Sequence, residues 1–497
     1  MVQRRKFLRV GAGGVLLLGI TGGRTTITRA HSRPGSANRD LESLVAVLVE
    51  TPREALLERL VSRIRGGLGY QPLLEAAAVA AARQVAPYPV VGYKYHALMV
   101  LQAVHLCTVK GRAADRWLPV LWAADTFKGA QARNLSEGGW HMSPVIEARV
   151  PAGERSAAAL RDALEAWDVE GADAAIVGLA RAHPPQRVFD LLFHYGARDF
   201  RHIGHKAITA ANCHRLLEVL GWRAAEPLLR SLTYALVNHQ GEPNPAHHDL
   251  VPDRPWRHNL VLARELPRRW GAGESDDEAI PELMALLREG DDLQAAEAFA
   301  ARLAGGLSPA TLWQAIHAAA GELMLRRSGI IAVHANTTAN ALHYAYRHTT
   351  SDLTRRLLLL QAGAFMPLFR ERLGDDQRPL RLDQLTPLEP DAAPGDALTA
   401  IFREISHDRV AAARRVLGYL EGGGSEAALM ELARHHTVVR NTGTHDYKFV
   451  EAAFENAAFL GPPWRRRYVA ASTLYYNGSA DADNPVVAAA RSLLAQA

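Results

Sequence analysis

An all-α fold is what this sequence predicts, and three observations carry the prediction. Beyond residue 40 apolar side chains recur at three- and four-residue spacing, as in Leu56-Leu57 with Leu60-Val61-Ile64 and Ala295-Ala296 with Phe299-Ala300-Leu303. Alanine, the best helix former, is abundant, while alternating β-branched runs are scarce. One short helical theme also returns along the chain, at Gly171–Leu179, Asp292–Phe299 and His407–Arg414. Across 497 residues, 48% hydrophobic and 22% charged, this is globular composition, which excludes collagenous, disordered and multi-pass membrane classes.

The amino-terminus reads as an address. Gln3-Arg4-Arg5-Lys6-Phe7-Leu8-Arg9 precedes a mild apolar stretch from Val10 to Ile20, and Thr28-Arg29-Ala30 offers a cleavage point. Residues 1–30 resemble a twin-arginine signal peptide, which implies the Tat export machinery as a partner and a periplasmic or secreted protein. The apolar run is too short to span a bilayer, so no stable membrane insertion is expected after cleavage. The formal charge of +5 falls to −1 once Arg4, Arg5, Lys6, Arg9, Arg24 and Arg29 are removed. A near-neutral mature chain gives no support for nucleic-acid binding.

Residues 31–52 read as a linker, and 53–497 as a single large all-α domain. That domain divides into about four degenerate four-helix repeats, approximately 53–130, 160–240, 283–370 and 396–478, arranged solenoid- or toroid-like around a central cavity. Each repeat carries a histidine-headed helix, at His96, His205, His334 and His445. Pro/Gly-rich segments follow the first three, at 129–155, 238–258 and 374–397. The second of these reads as a flap or a rigid surface loop.

Histidine is the informative residue: there are 21, against two isolated cysteines, Cys107 and Cys213. Two such cysteines exclude a disulfide framework, a CxxC zinc site and a four-cysteine iron–sulfur cluster. Equivalent positions in quasi-symmetric repeats converge on a shared axis, so the four heads are candidates to face one cavity. Second histidines lie nine residues on, at His105, His214 and His343; nine positions turn a helix by about half a revolution, which points them away from the heads. His202 and His205, three apart, share a side, and which of them serves the site is left open.

The metal ligands are therefore expected among His202, His205, His334 and His445, with His96 a fourth ligand or an acid–base group. Catalytic candidates are His96, His202, His334, His445 and Lys448, which would share the face of His445. A supporting layer is expected from His194, His317, His435, Thr337 and Glu451. Neutral imidazole suits a metal ion, iron first and copper or zinc next. No GxGxxG appears, so a Rossmann-type NAD or FAD site is not expected.

The same residues resemble the questin oxidase-like family. Phe200-Arg201-His202-Ile203-Gly204-His205 is similar to the family's His-Leu-Gly-Tyr segment. His334, Thr337 and Ala341-Leu342 fit its His-x-x-Thr-x-x-x-Ala-Leu pattern. His445-Asp446-Tyr447-Lys448-Phe449-Val450-Glu451-Ala452 is similar to its His-x-x-Lys-Leu-x-Glu-Ala segment, and His96 with Met99 and Leu101 is a looser match. The resemblance implies a helical, Baeyer–Villiger-type oxygenase acting on a small, aromatic organic substrate. His205 departs from it, standing where the family has tyrosine. Beside the metal-dependent oxidoreductase, a zinc-type hydrolase and a non-catalytic helical-repeat binding protein are the alternatives that the residues leave open.

Overall fold

The computed structural model describes residues 34–87, 93–237, 242–389 and 396–496. Residues 1–30, read above as a signal peptide, lie outside them. Two units are distinguished, 1–40 and 41–497. Of the first, only the opening of one helix is described. Among the described residues the fold is all-α: no β-strand forms, and extended pairing is limited to a single bridge between Glu274 and Leu307.

One boundary differs from the sequence reading. The stretch 31–52 is not a linker, since it holds a helix, Pro34–Glu50. Its Leu44, Val45, Val47 and Leu48 are buried, and Glu42 pairs with Arg83 at 2.8 Å. The opening Pro-Gly-Ser suggests a loop, but proline is well tolerated in the first helical turn, and the apolar spacing from Leu41 continues the helix.

Four histidine-headed helices form the middle of unit 41–497. They are Leu101–Lys110, with its short lead His96–Met99, then His205–Leu220, Ile330–His348 and Thr444–Ala457. The His205 helix packs on the His334 helix, that on the His445 helix, that on the His96 helix, and the last back on the first. The cycle follows chain order. The His334 helix is buried from Ala332 to Ala345, and its buried polar residues are satisfied within the protein: Asn336 donates to the Ala320 and Ala332 carbonyls and Thr337 to the Val333 carbonyl.

An outer layer covers this cycle. Pro309–Arg326 and Asp352–Arg372 flank the His334 helix, while Leu118–Ser136 lies against the His96 helix. The proline-rich segment after 241 is not a loose flap. Phe200 N–H donates to the Pro252 carbonyl at 2.9 Å, and Arg201 Nε donates to Asp253 at 2.8 Å in a buried ion pair. Arginine's planar fork suits such a buried carboxylate.

Candidate metal centre

The heads converge. His96, His205, His334 and His445 each bring one ring nitrogen to a common point, all within 4.8 Å of one another. The rings form a closed square in chain order. Centroids are 5.1 Å apart for His96–His205, 4.4 Å for His205–His334, 5.0 Å for His334–His445 and 4.6 Å for His445–His96. His96, His205 and His334 are buried and His445 partly so.

Local backbone geometry chooses His205 over His202. Ile203 and Gly204 both adopt positive φ, +45° and +80°, so the chain turns sharply and the helix begins only at His205. A spacing of three shares a face only within one helix; His202 lies before the turn. His202 is therefore not among the four, correcting its expected role as a ligand. Its side chain approaches Glu242 at 4.0 Å, and its carbonyl accepts from Nδ1 of His205 at 2.6 Å. The turn has a second purpose. A Cβ on Gly204 would lie 2.0 Å from Thr338 Oγ1 of the neighbouring helix, so glycine lets the two helices close up.

The hydrogen bonds fix tautomers. His205 Nδ1–H is aimed at the His202 carbonyl, and His334 Nδ1–H at the Ile330 carbonyl at 2.7 Å. With Nδ1 holding the proton, each neutral ring presents a bare Nε2 lone pair inward. Those two Nε2 atoms face each other at 3.0 Å, and His205 Nε2 lies 3.4 Å from His96 Nε2. Nε2 of His445 is buried without a hydrogen-bond partner. Facing lone pairs repel unless something positive lies between them.

A proton is poorly placed to be that positive charge. Burial, and then the nearby Lys448 charge, hold His96, His334 and His445 well below the ordinary histidine range, His445 at about 2. Burial and the neighbouring His334 do the same to His205, with Lys448 adding to it. A metal ion fits. At metal–nitrogen distances of about 2.1 Å, tetrahedral donors lie about 3.4 Å apart and opposite square-planar donors about 4.2 Å, which the observed set brackets. The donor set is entirely imidazole. Asp446 caps Thr442 and Asp199 pairs with Lys206, so neither joins it.

Lys448 is buried, and its Nζ has no hydrogen-bond partner. Burial lowers its pKa to about 7. It lines a narrow cavity of about 20 Å³, space for one or two waters. The walls come from the same four helices, at positions three, six, seven and ten beyond each head: Ile208, Asn212 and Arg215 on one, Thr337 and Asn340 on the next, Lys448, Glu451 and Glu455 on the third, Gln102 and Leu106 on the fourth. Arg215 closes the far end, donating to Glu455 at 2.6 Å and Asn340 at 3.0 Å. Thr337 and Asn340 are where polar residues in the His334 helix suggest a cavity lining; Asn212, Arg215 and Glu455 escaped the sequence reading, although counting down each helix from its head would have found them.

The supporting residues divide. Thr337 Oγ1 donates to the Val333 carbonyl at 3.0 Å and lies 3.5 Å from the His334 carbonyl, one turn along the same helix. Glu451 bonds none of the four histidines; its carboxylate is taken by Arg434, at 2.6 and 3.1 Å, and by the Cys107 thiol. His194, His317 and His435 do not form a layer around the site. They bond Thr354, His343 and Asp115 instead, because their helices run on the outside of the cycle.

No family model, curated protein or solved structure matches this chain. The likeness to the questin oxidase-like family thus rests on the segments around His202, His334 and His445 and the looser one at His96.

Proposed function

We propose that the protein is a metal-dependent oxidoreductase of the oxidase or oxygenase type, its ion held by His96, His205, His334 and His445. One observation carries this reading: two buried Nε2 lone pairs, tautomers fixed, facing each other at 3.0 Å. Iron is the first candidate for an oxidase or oxygenase; neutral imidazole suits copper and zinc as well, and zinc, which has no redox chemistry, would not serve this reading. A redox-active ion supplies one-electron and dioxygen chemistry.

The chain's own residues do the rest. Burial of the ring excludes bulk water, and the carbonyls of His202 and Ile330 orient the imidazoles. Lys448 Nζ, poised near neutrality beside a cavity with space for one or two waters, takes up or releases a proton through such a water as a substrate is oxidised at the centre. The arginine pair and apolar run at the amino-terminus support export through the Tat route with the ion already in place.

The test is elemental analysis of the purified protein together with the double variant His334→Ala, His445→Ala. The expected result is one iron per chain, lost in the variant while the far-UV circular dichroism is retained. Zinc alone at full occupancy would replace the redox reading with a hydrolytic one. No bound transition metal after reconstitution would overturn both.

A further inference from the structure

We propose that a second site, separate from the histidine ring, binds an organic anion with a flat π face, an aromatic carboxylate. It is a cleft of about 460 Å³ between helices Gly153–Ala166, Pro185–Gly196 and Arg254–Glu265 and the start of Asp352–Arg372. That is the size range of small-molecule sites. Each of the first three helices turns one stripe toward it, and each stripe carries an arginine: Arg161, Arg187 and Arg264.

None of these three guanidiniums makes an ion pair or side-chain hydrogen bond among the described residues, although two carboxylates share the cleft. Glu165 instead accepts from the Tyr195 hydroxyl at 2.7 Å and lies 3.6 Å from Arg198. Asp190 accepts from Thr349 Oγ1 at 2.7 Å, from Thr350 N at 2.8 Å and from the Thr350 hydroxyl. The acids are thus already engaged and the cations are not. Arginine's fork matches a carboxylate with two parallel hydrogen bonds, so an incoming anion would complete an arrangement the chain leaves open.

Two further features point the same way. The 21-residue helix Asp352–Arg372 begins at the cleft, where Ser351 and Thr354 line it, so its positive end faces the same space. Aromatic rings form a wall, packed edge to face: the His194 ring meets Trp256 at 4.9 Å and Tyr195 at 5.2 Å. Burial, then the neighbouring Arg198, Arg161 and Arg264 charges, lower His194 to about 4, so near pH 7 it is a neutral, π-rich surface. Nδ1 is engaged by Thr354 Oγ1 at 3.2 Å. Flat faces stack on such a wall while the carboxylate meets the arginines.

The experiment is calorimetric titration of the full chain with 2-naphthoate, with its neutral amide 2-naphthamide, and with inorganic phosphate. The wild type and Arg161→Gln/Arg264→Gln are compared, these exposed positions leaving the fold intact. We expect naphthoate to bind at least about tenfold more tightly than the amide or phosphate, and the variant to lose about tenfold or more with unchanged circular dichroism. Equal binding of acid and amide, an unaffected variant, or no binding at millimolar naphthoate would overturn the proposal. Phosphate binding as tightly as naphthoate would overturn its aromatic half. Repeating the titration on His334→Ala/His445→Ala should give the same affinity, which separates this site from the histidine ring.

Discussion

Replacing Lys448 with methionine should stabilise the protein, by an amount that shrinks as pH rises. The amine is buried without a hydrogen-bond partner, and burial lowers its pKa from 10.5 to about 7. Between those values the unfolded chain holds a proton that the folded chain does not, so stability rises with pH; below about 7 both states are protonated and the full penalty stands. Keeping the amine neutral costs about 1.4 kcal/mol for each pH unit below 10.5, or ~5 kcal/mol near pH 7 and ~2 kcal/mol near pH 9. Unfolding entropies of about 2.1 cal/mol/K per residue give ~1 kcal/mol/K for unit 41–497. Lys448→Met should therefore melt ~5 °C above wild type near pH 7 and ~2 °C above it near pH 9. Differential scanning calorimetry at both pH values measures this. A gain that does not change with pH, or a less stable variant at pH 7, would refute a buried and unpartnered amine.

Two other outcomes follow from the same site. The four ring histidines stay neutral in the fold far below the ordinary value of 6.5, so as pH drops below 6.5 the unfolded chain takes up protons that the folded chain does not. Each such histidine removes about 1.4 kcal/mol of stability per pH unit, so chelator-treated His445→Gln should lose ~1 °C less than wild type between pH 6 and 5; identical losses would show that His445 titrates normally. Gly204→Ala places a methyl 2.0 Å from Thr338 Oγ1 at φ +80°, and left-handed strain plus overpacking should cost ~3 kcal/mol. Melting temperature and metal content should fall together, and retention of both would show that the turn does not set the ring.

What could be read from the sequence followed from recurrence. A single histidine on a helix says little, but His96, His205, His334 and His445 head similar helices, and that repetition placed all four before any coordinate. The helical periodicity gave the all-α class for the same reason. Other features depend on backbone turns and helix orientation that side-chain pattern does not encode. His202 and His205 could not be told apart because a spacing of three presumes an unbroken helix, and the positive φ of Ile203, a β-branched residue, is not written in side-chain pattern. His194, His317 and His435 recur as regularly as the heads, yet recurrence cannot say whether a helix faces inward or outward. Arg161, Arg187 and Arg264 carry no signal of their own in the sequence, since only the tertiary arrangement shows that Glu165 and Asp190 are engaged elsewhere.

The square of imidazoles also sets an order of events in the life of the chain. His96 and His445 are neighbours in it, 4.6 Å apart between ring centroids, yet most of the polypeptide lies between them. Closing so long a loop is among the slowest steps of folding. A nascent chain emerging residue by residue can offer three corners of the square but never the fourth until His445 has been made. An ion held on all four corners would therefore be captured only after His445 has been made, and a chain truncated before Thr444 would be recognisable by its inability to offer four ligands.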